Sequence, residues 1–301
     1  MSASSSNKVI IAALLGNTAI SIIKFFAAFT TGSSAMLSEG IHSLVDTGNQ
    51  ILLLYGLKQA KKPADEEFPF GHGKEIYFWS FVVAILIFAV GSGVSIYEGI
   101  LHVMHPVQIE NPIVNYIVLS LAILFEGGAW LFAFKEFAKV KGKRGYLEAV
   151  KLGKDPSIFV VLFEDSAALL GLLVALTGIW LAQATANPVF DGIASIVIGL
   201  ILGATAVWLA VETKGLLIGE GANKEVVASI RSLTESFDEV EKVNELLTMH
   251  MGPDFILVNI SIRFKRGQLT REIETVIQEV DALIKAEHQT VQRVFVEAEF
   301  G

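Results

Sequence analysis

The sequence predicts a six-span, all-α membrane bundle followed by a compact α+β domain on the cytoplasmic side. Three observations carry this. The 301-residue chain is 52% hydrophobic and has a mean hydropathy of +0.56, too apolar for an ordinary soluble domain. Six stretches reach the roughly 20 mainly apolar residues that a spanning helix needs. Lys and Arg occupy alternate links only, which is the signature of a fixed orientation in the bilayer.

The six spans are expected at roughly 9–30, 36–57, 76–99, 113–135, 157–181 and 189–212. Lys8 precedes the first. The second link holds Lys58, Lys61, Lys62 and Lys74; the fourth holds Lys139, Lys141, Lys143, Arg144, Lys151 and Lys154. The other three links, "TTGSSA", "GILHVMHPVQIENP" and "LAQATAN", contain neither Lys nor Arg. The alternation places both termini in the cytoplasm. The polar start "MSASSSNK" leads into an apolar run too long for a signal h-region, so no cleavable signal is expected. The absence of an Arg-rich amphipathic start favours a bacterial inner membrane over a mitochondrial inner membrane, although the chemistry fits both.

The chain divides by composition into a transport domain, 1–212, and a tail, 213–301. In the tail, Val226, Val227, Ile230 and Leu233 have helical spacing, and "ELLTMHM" is strand-like. "FILVNISIRF" alternates, with Ile256, Val258, Ile260, Ile262 and Phe264 on one face. Ile273, Val276, Ile277, Val280 and Leu283 mark a second amphipathic helix, and "VQRVFVEAEF" a last strand. The predicted order is helix, strand, strand, helix, strand.

Composition also excludes functions. Cysteine is absent, which removes disulfides, thiolate metal sites and cysteine nucleophiles. A net charge of −8 argues against nucleic acid as a partner.

The second span is the informative one. At about 100° per residue, Glu39, His42, Asp46 and Gln50 fall within about 80° of one helix face, with Asn49 at the edge. A charge at mid-membrane costs about 2.5–3.5 kcal/mol, so three ionisable groups on one stripe point to function. The structural alternative is a hydrogen-bond network with Lys24 as counter-ion. Span five carries adjacent Glu164 and Asp165, only one of which is expected to face a site squarely. Glu126 in span four reads as a bundle-facing structural carboxylate or a transport residue. Asp191 opens span six near the non-cytoplasmic mouth. A histidine with carboxylates from two helices is a shell for a divalent cation. Mixed N/O ligation suits zinc, and also manganese, iron, cobalt or nickel.

These residues resemble the cation diffusion facilitator family. "GSSAMLSEGIHSLVDTGNQILLLYGL" is similar to its second span, "FPFGHGKEIYFWSF" to its third-span entry and "NPVFDGIASIVIGL" to its sixth. "KDPSIFVVLFEDSAALLG" resembles the branch of the ninth animal zinc transporter and its bacterial relatives. The resemblance implies a homodimeric proton-coupled exporter in a lipid bilayer with a ferredoxin-like cytoplasmic domain. Its cargo is a divalent metal, and no prosthetic group is expected. The family's transport site takes two ligands from span two and two from span five. His42 and Asp46 match the first pair and Asp165 the last ligand, while Val161 falls where the third belongs. Glu164, Glu39 or water is expected to fill that place. The resemblance further marks His72 and Glu66 in the loop, and His250 in the tail beside Glu297 and Glu299, as possible accessory metal ligands. Loop residues His102, His105 and His288 are expected to be simply solvated.

Rival readings are a proton-coupled carrier of another solute and a non-transporting metal-sensing scaffold. An intramembrane metallohydrolase would need a motif such as HExxH, which the sequence lacks.

Overall fold

The computed structural model describes residues 3–141, 145, 149 and 156–299. Lys143, Arg144, Lys151 and Lys154, part of the expected basic fourth link, lie outside them. The chain divides into two compact units, one of Met1–Tyr55, Trp79–Val150 and Pro156–Thr213, the other including Gly56–Phe78 and Lys214–Gly301.

The first unit is built from long helices: α1 (Ala3–Thr31), α2 (Ser34–Ala60), α3 (Glu75–Met104), α4 (Pro112–Lys141), α5 (Pro156–Ala184) and α6 (Val189–Ile218). Each covers one expected span. By length and composition, four stretches among the described residues can cross a membrane: Glu75–Met104, Pro112–Lys135, Phe159–Ala184 and Val189–Ile218. Helices α1 and α2 are as long, but α2 carries the polar stripe. Large apolar side chains point outward, Phe29 being 78% exposed and Leu124 74%. Such a surface demands lipid rather than water. Residues Ile87–Ser92 of α3 form a π-helical segment.

Asp191, the first-turn acid of α6, is fully buried and receives the start of α2. Ser33 Oγ donates to its Oδ1 at 2.6 Å, and Ser34 N and Oγ donate to its Oδ2 at 2.6 and 3.1 Å. A carboxylate there satisfies orphan N–H groups and complements the helix dipole. His102 Nε2 lies 3.0 Å from Gly32 O, and Glu110 N donates to Thr31 O. The first and third links, both without Lys or Arg, therefore meet the start of α6 at one end of this unit. His102 is not merely solvated as expected, because its ring closes that junction.

In the second unit, α7 (Lys224–Glu235), β1 (Val240–Gly252), β2 (Phe255–Phe264), α8 (Thr270–Glu287) and β3 (Val291–Ala298) follow the predicted order. The sheet order is β1-β2-β3, with β1–β2 antiparallel and β2–β3 parallel. Among the described residues this is one strand short of a βαββαβ arrangement. Ile256, Val258, Ile260 and Ile262 are buried as their alternation requires, against Ile230 of α7 and Val276, Val280 and Ile284 of α8. Leu283, expected on the apolar face, is exposed, and Ile284 takes its place. The i, i+4, i+8 row from Val276 sets the phase of the helix. His288 Nε2 sits 2.9 Å from Ser229 Oγ, so it links two segments of this unit rather than standing in solvent.

Candidate cation site in the helix bundle

Helices α1, α2, α4 and α5 line a cavity of about 260 Å³ in the first unit. Its polar lining is Asn17, Ser43, Asp46, Gln50, Glu126, Glu164 and Asp165. Val161 also lines it, one turn before Asp165. Both acids of span five thus reach the cavity, contrary to the expectation that only one would. The cavity is wide enough to span the roughly 100° between neighbours on a helix. Glu164 is buried and accepts from Asn49 Nδ2 at 2.5 Å, so the edge residue of the α2 stripe orients it. Asp46 and Glu164 both line the cavity, so the two carboxyl groups face the same enclosed space.

His42 is buried beside this cavity. Its Nδ1 lies 3.2 Å from Asp46 Oδ1, as the i, i+4 spacing allows, but without hydrogen-bond geometry. Both ring nitrogens of His42, and Asp46 Oδ1, are buried and lack a hydrogen-bond partner. Unpaired buried polar atoms are costly, and a cation is one partner that satisfies an imidazole nitrogen and a carboxylate together. Among the described residues, no group of three or more His, Asp or Glu forms a closed metal cluster. An ion would have to draw these side chains together.

Glu39 lies elsewhere in the network. It is fully buried and pairs with Lys24 Nζ at 3.1 Å, against Gly171. Lys24 also donates to Ser43 Oγ at 2.7 Å and Glu126 Oε1 at 2.8 Å. The predicted counter-ion role of Lys24 is therefore directed at Glu39 and Glu126, and does not extend to Asp46 or His42.

In the second unit, His72 Nε2 is 2.9 Å from Asp65 Oδ2, while Glu66 is exposed. That bond from His72, and then the N–H of Phe68 on Oδ1, hold the Asp65 carboxyl below the ordinary carboxylate range. His250 is buried on β1, its N–H donating to Glu220 O at 2.9 Å. Glu297 and Glu299 accept from Asn259 and Ser261. His72, Glu297 and Glu299 thus each engage a different partner.

An apolar helix bundle around a buried acidic cavity is the architecture of a multi-pass membrane transport protein. The chain belongs to the cation efflux family, because the family's transmembrane-domain model matches residues 10–218. Among its relatives is a proton-coupled zinc antiporter, SLC30A9, mitochondrial, of Xenopus laevis, 32% identical over 288 residues that cover 93% of this chain and 52% of the relative. Metal tolerance protein C4 of Arabidopsis thaliana is 29% identical over 88% of this chain and 58% of the relative. The manganese efflux system protein MneP of Bacillus subtilis is 22% identical over 97% of this chain and 95% of the relative. The chain spans about half the length of the zinc-antiporter relatives. These relatives are named as transporters or metal tolerance proteins, and the family is not one of enzymes.

Proposed function

We propose that this protein is an antiporter that exports a divalent cation from the cytoplasm in exchange for protons. Zinc is the first candidate, with manganese, iron, cobalt and nickel as alternatives. The observation that carries the reading is the cavity shared by Asp46, Glu164 and Asp165, next to a buried His42 whose two nitrogens lack partners. Imidazole and carboxylate together suit a borderline divalent ion. The names of the relatives support zinc and manganese as cargo.

Ligation requires a neutral imidazole and ionised carboxylates, so binding releases protons. Any proton held by the clustered carboxyl groups of Asp46, Glu164 and Asp165 would be displaced by an entering cation. Helix rearrangement then exposes the loaded cavity to the other side, where protons compete for the same oxygens and release the ion. In this reading the six helices span the bilayer of a bacterial inner membrane with both termini cytoplasmic. Residues 1–212 form the transport domain, and residues 213–301 form a ferredoxin-like cytoplasmic domain within a homodimer. Glu39 contributes through Lys24 and not as a direct ligand. No accessory metal is assigned to His72, Glu66 or His250.

Purified protein in liposomes tests this. An imposed pH gradient is expected to drive zinc flux, and Asp165→Ala to abolish it. No gradient-driven flux of zinc, manganese, iron, cobalt or nickel would overturn the proposal.

A further inference from the structure

Glu126 of α4 combines features that a purely structural carboxylate would not need. Its Oε1 accepts from Lys24, yet its Oε2 is buried without a hydrogen-bond partner. Lys24 has three N–H donors, and they are directed at Glu39 Oε2, Ser43 Oγ and Glu126 Oε1. None remains for Oε2. With Lys24 matching the charge of Glu39, Glu126 is the acid in excess. The same side chain lines the cavity together with Asp46, Glu164, Asp165 and the inert Val161. Helix α4 is tied to α5 by Trp130 Nε1, which donates to Ser166 Oγ at 2.8 Å next to Asp165, so Glu126 is carried by a helix braced against the one holding the span-five acids.

We infer that Glu126 is a further cation-binding carboxylate of the transport cavity, positioned by the fully buried Lys24 and supplying the oxygen ligand that Val161 cannot. The inference rests on the cation-exporter reading above. Asp46, Glu164 and Asp165 provide three acidic side chains, and Glu126 makes a fourth from a third helix. Together with His42 these acids give five candidate side-chain donors, so a four-donor shell that includes an oxygen from α4 can be completed without any contribution from position 161. Lys24 acts through Glu126: it fixes one oxygen and leaves the other for the ion.

The test is zinc flux into liposomes and zinc affinity by chelator competition, on full-length protein. E126Q is the informative variant, since its amide oxygen still accepts from Lys24 while the ligating charge is gone. We expect its half-saturating zinc concentration to rise about tenfold with its thermal midpoint preserved. Adding V161D to E126Q should bring half-saturation back towards wild type. Wild-type half-saturation in E126Q, or a fall in maximal rate with unchanged zinc affinity, overturns the inference. Failure of V161D to restore affinity to a folded E126Q also overturns it. If E126Q does not fold, E126D carries the comparison: weakened zinc affinity supports the inference and unchanged affinity overturns it. D46N separates the two levels. A dead D46N beside a normal E126Q removes only the role of Glu126, whereas a D46N with wild-type flux removes the exporter site itself.

Discussion

Lys24 shows how much one residue does here. It is fully buried, and its ammonium is tolerated because two carboxylates and a hydroxyl surround it. Removing one partner from such a network leaves an uncompensated charge, which costs about 3–5 kcal/mol. Lys24→Met is therefore expected to lower the thermal midpoint in detergent sharply, and an unchanged midpoint would refute the network. In the second unit, Asp65 offers a spectroscopic counterpart. His72 and the Phe68 N–H depress its pKa, so its folded value lies below its unfolded one. The associated stabilisation is present above the unfolded pKa and is lost as pH falls through the folded value. His72→Ala should bring the Asp65 midpoint, followed by NMR of its carboxyl carbon, up towards the ordinary carboxylate range.

Close helix contact governs the next scale. A Cβ added at Gly192 of α6 would meet Gly99 O and Val103 N of α3, each at 2.9 Å. Both are backbone atoms that cannot turn aside. Small residues at such crossings let membrane helices approach, and dispersion supplies the attraction that water does not. Gly192→Ala is expected to cost about 1–3 kcal/mol through overpacking, measurable by thermal unfolding. Two neighbours reinforce the contact, since α3 presents Ser92 and Ser95 at its buried face and Ser195 Oγ donates to Ser95 O at 3.0 Å. Asp191 meanwhile fixes where α2 begins, and with it the height of His42 and Asp46 in the bundle.

At the scale of the molecule, the proposal makes a claim about sidedness. The chain has no cysteine, so single cysteines can be introduced without a background. Cysteines at positions 66 and 223 should react with a membrane-impermeant reagent from the cytoplasmic side. Those at 109 and 186 should react from the opposite side. Labelling of 66 and 109 from the same side would break the six-span topology. The meeting of the first and third Lys- and Arg-free links with the start of α6 at one end of the bundle is the structural ground for expecting the alternation.

The sequence by itself determined the apolar helices, the polar face of α2 and the alternation of β2. Each follows from a local period: length against bilayer thickness, 3.6 residues per turn, and two per strand repeat. Asp46, Glu164 and Asp165 were legible as candidates because charge inside an apolar run is expensive wherever it lands. Only the tertiary structure decided which charges meet. Lys24 and Glu126 are 102 positions apart, and no spacing rule connects a lone acid on α4 to a lysine on α1. The separation of Glu39 from the cavity and the arrival of both span-five acids within it likewise depend on helix packing. Packing sets the rotation of each helix about its axis, and a local period leaves that rotation open.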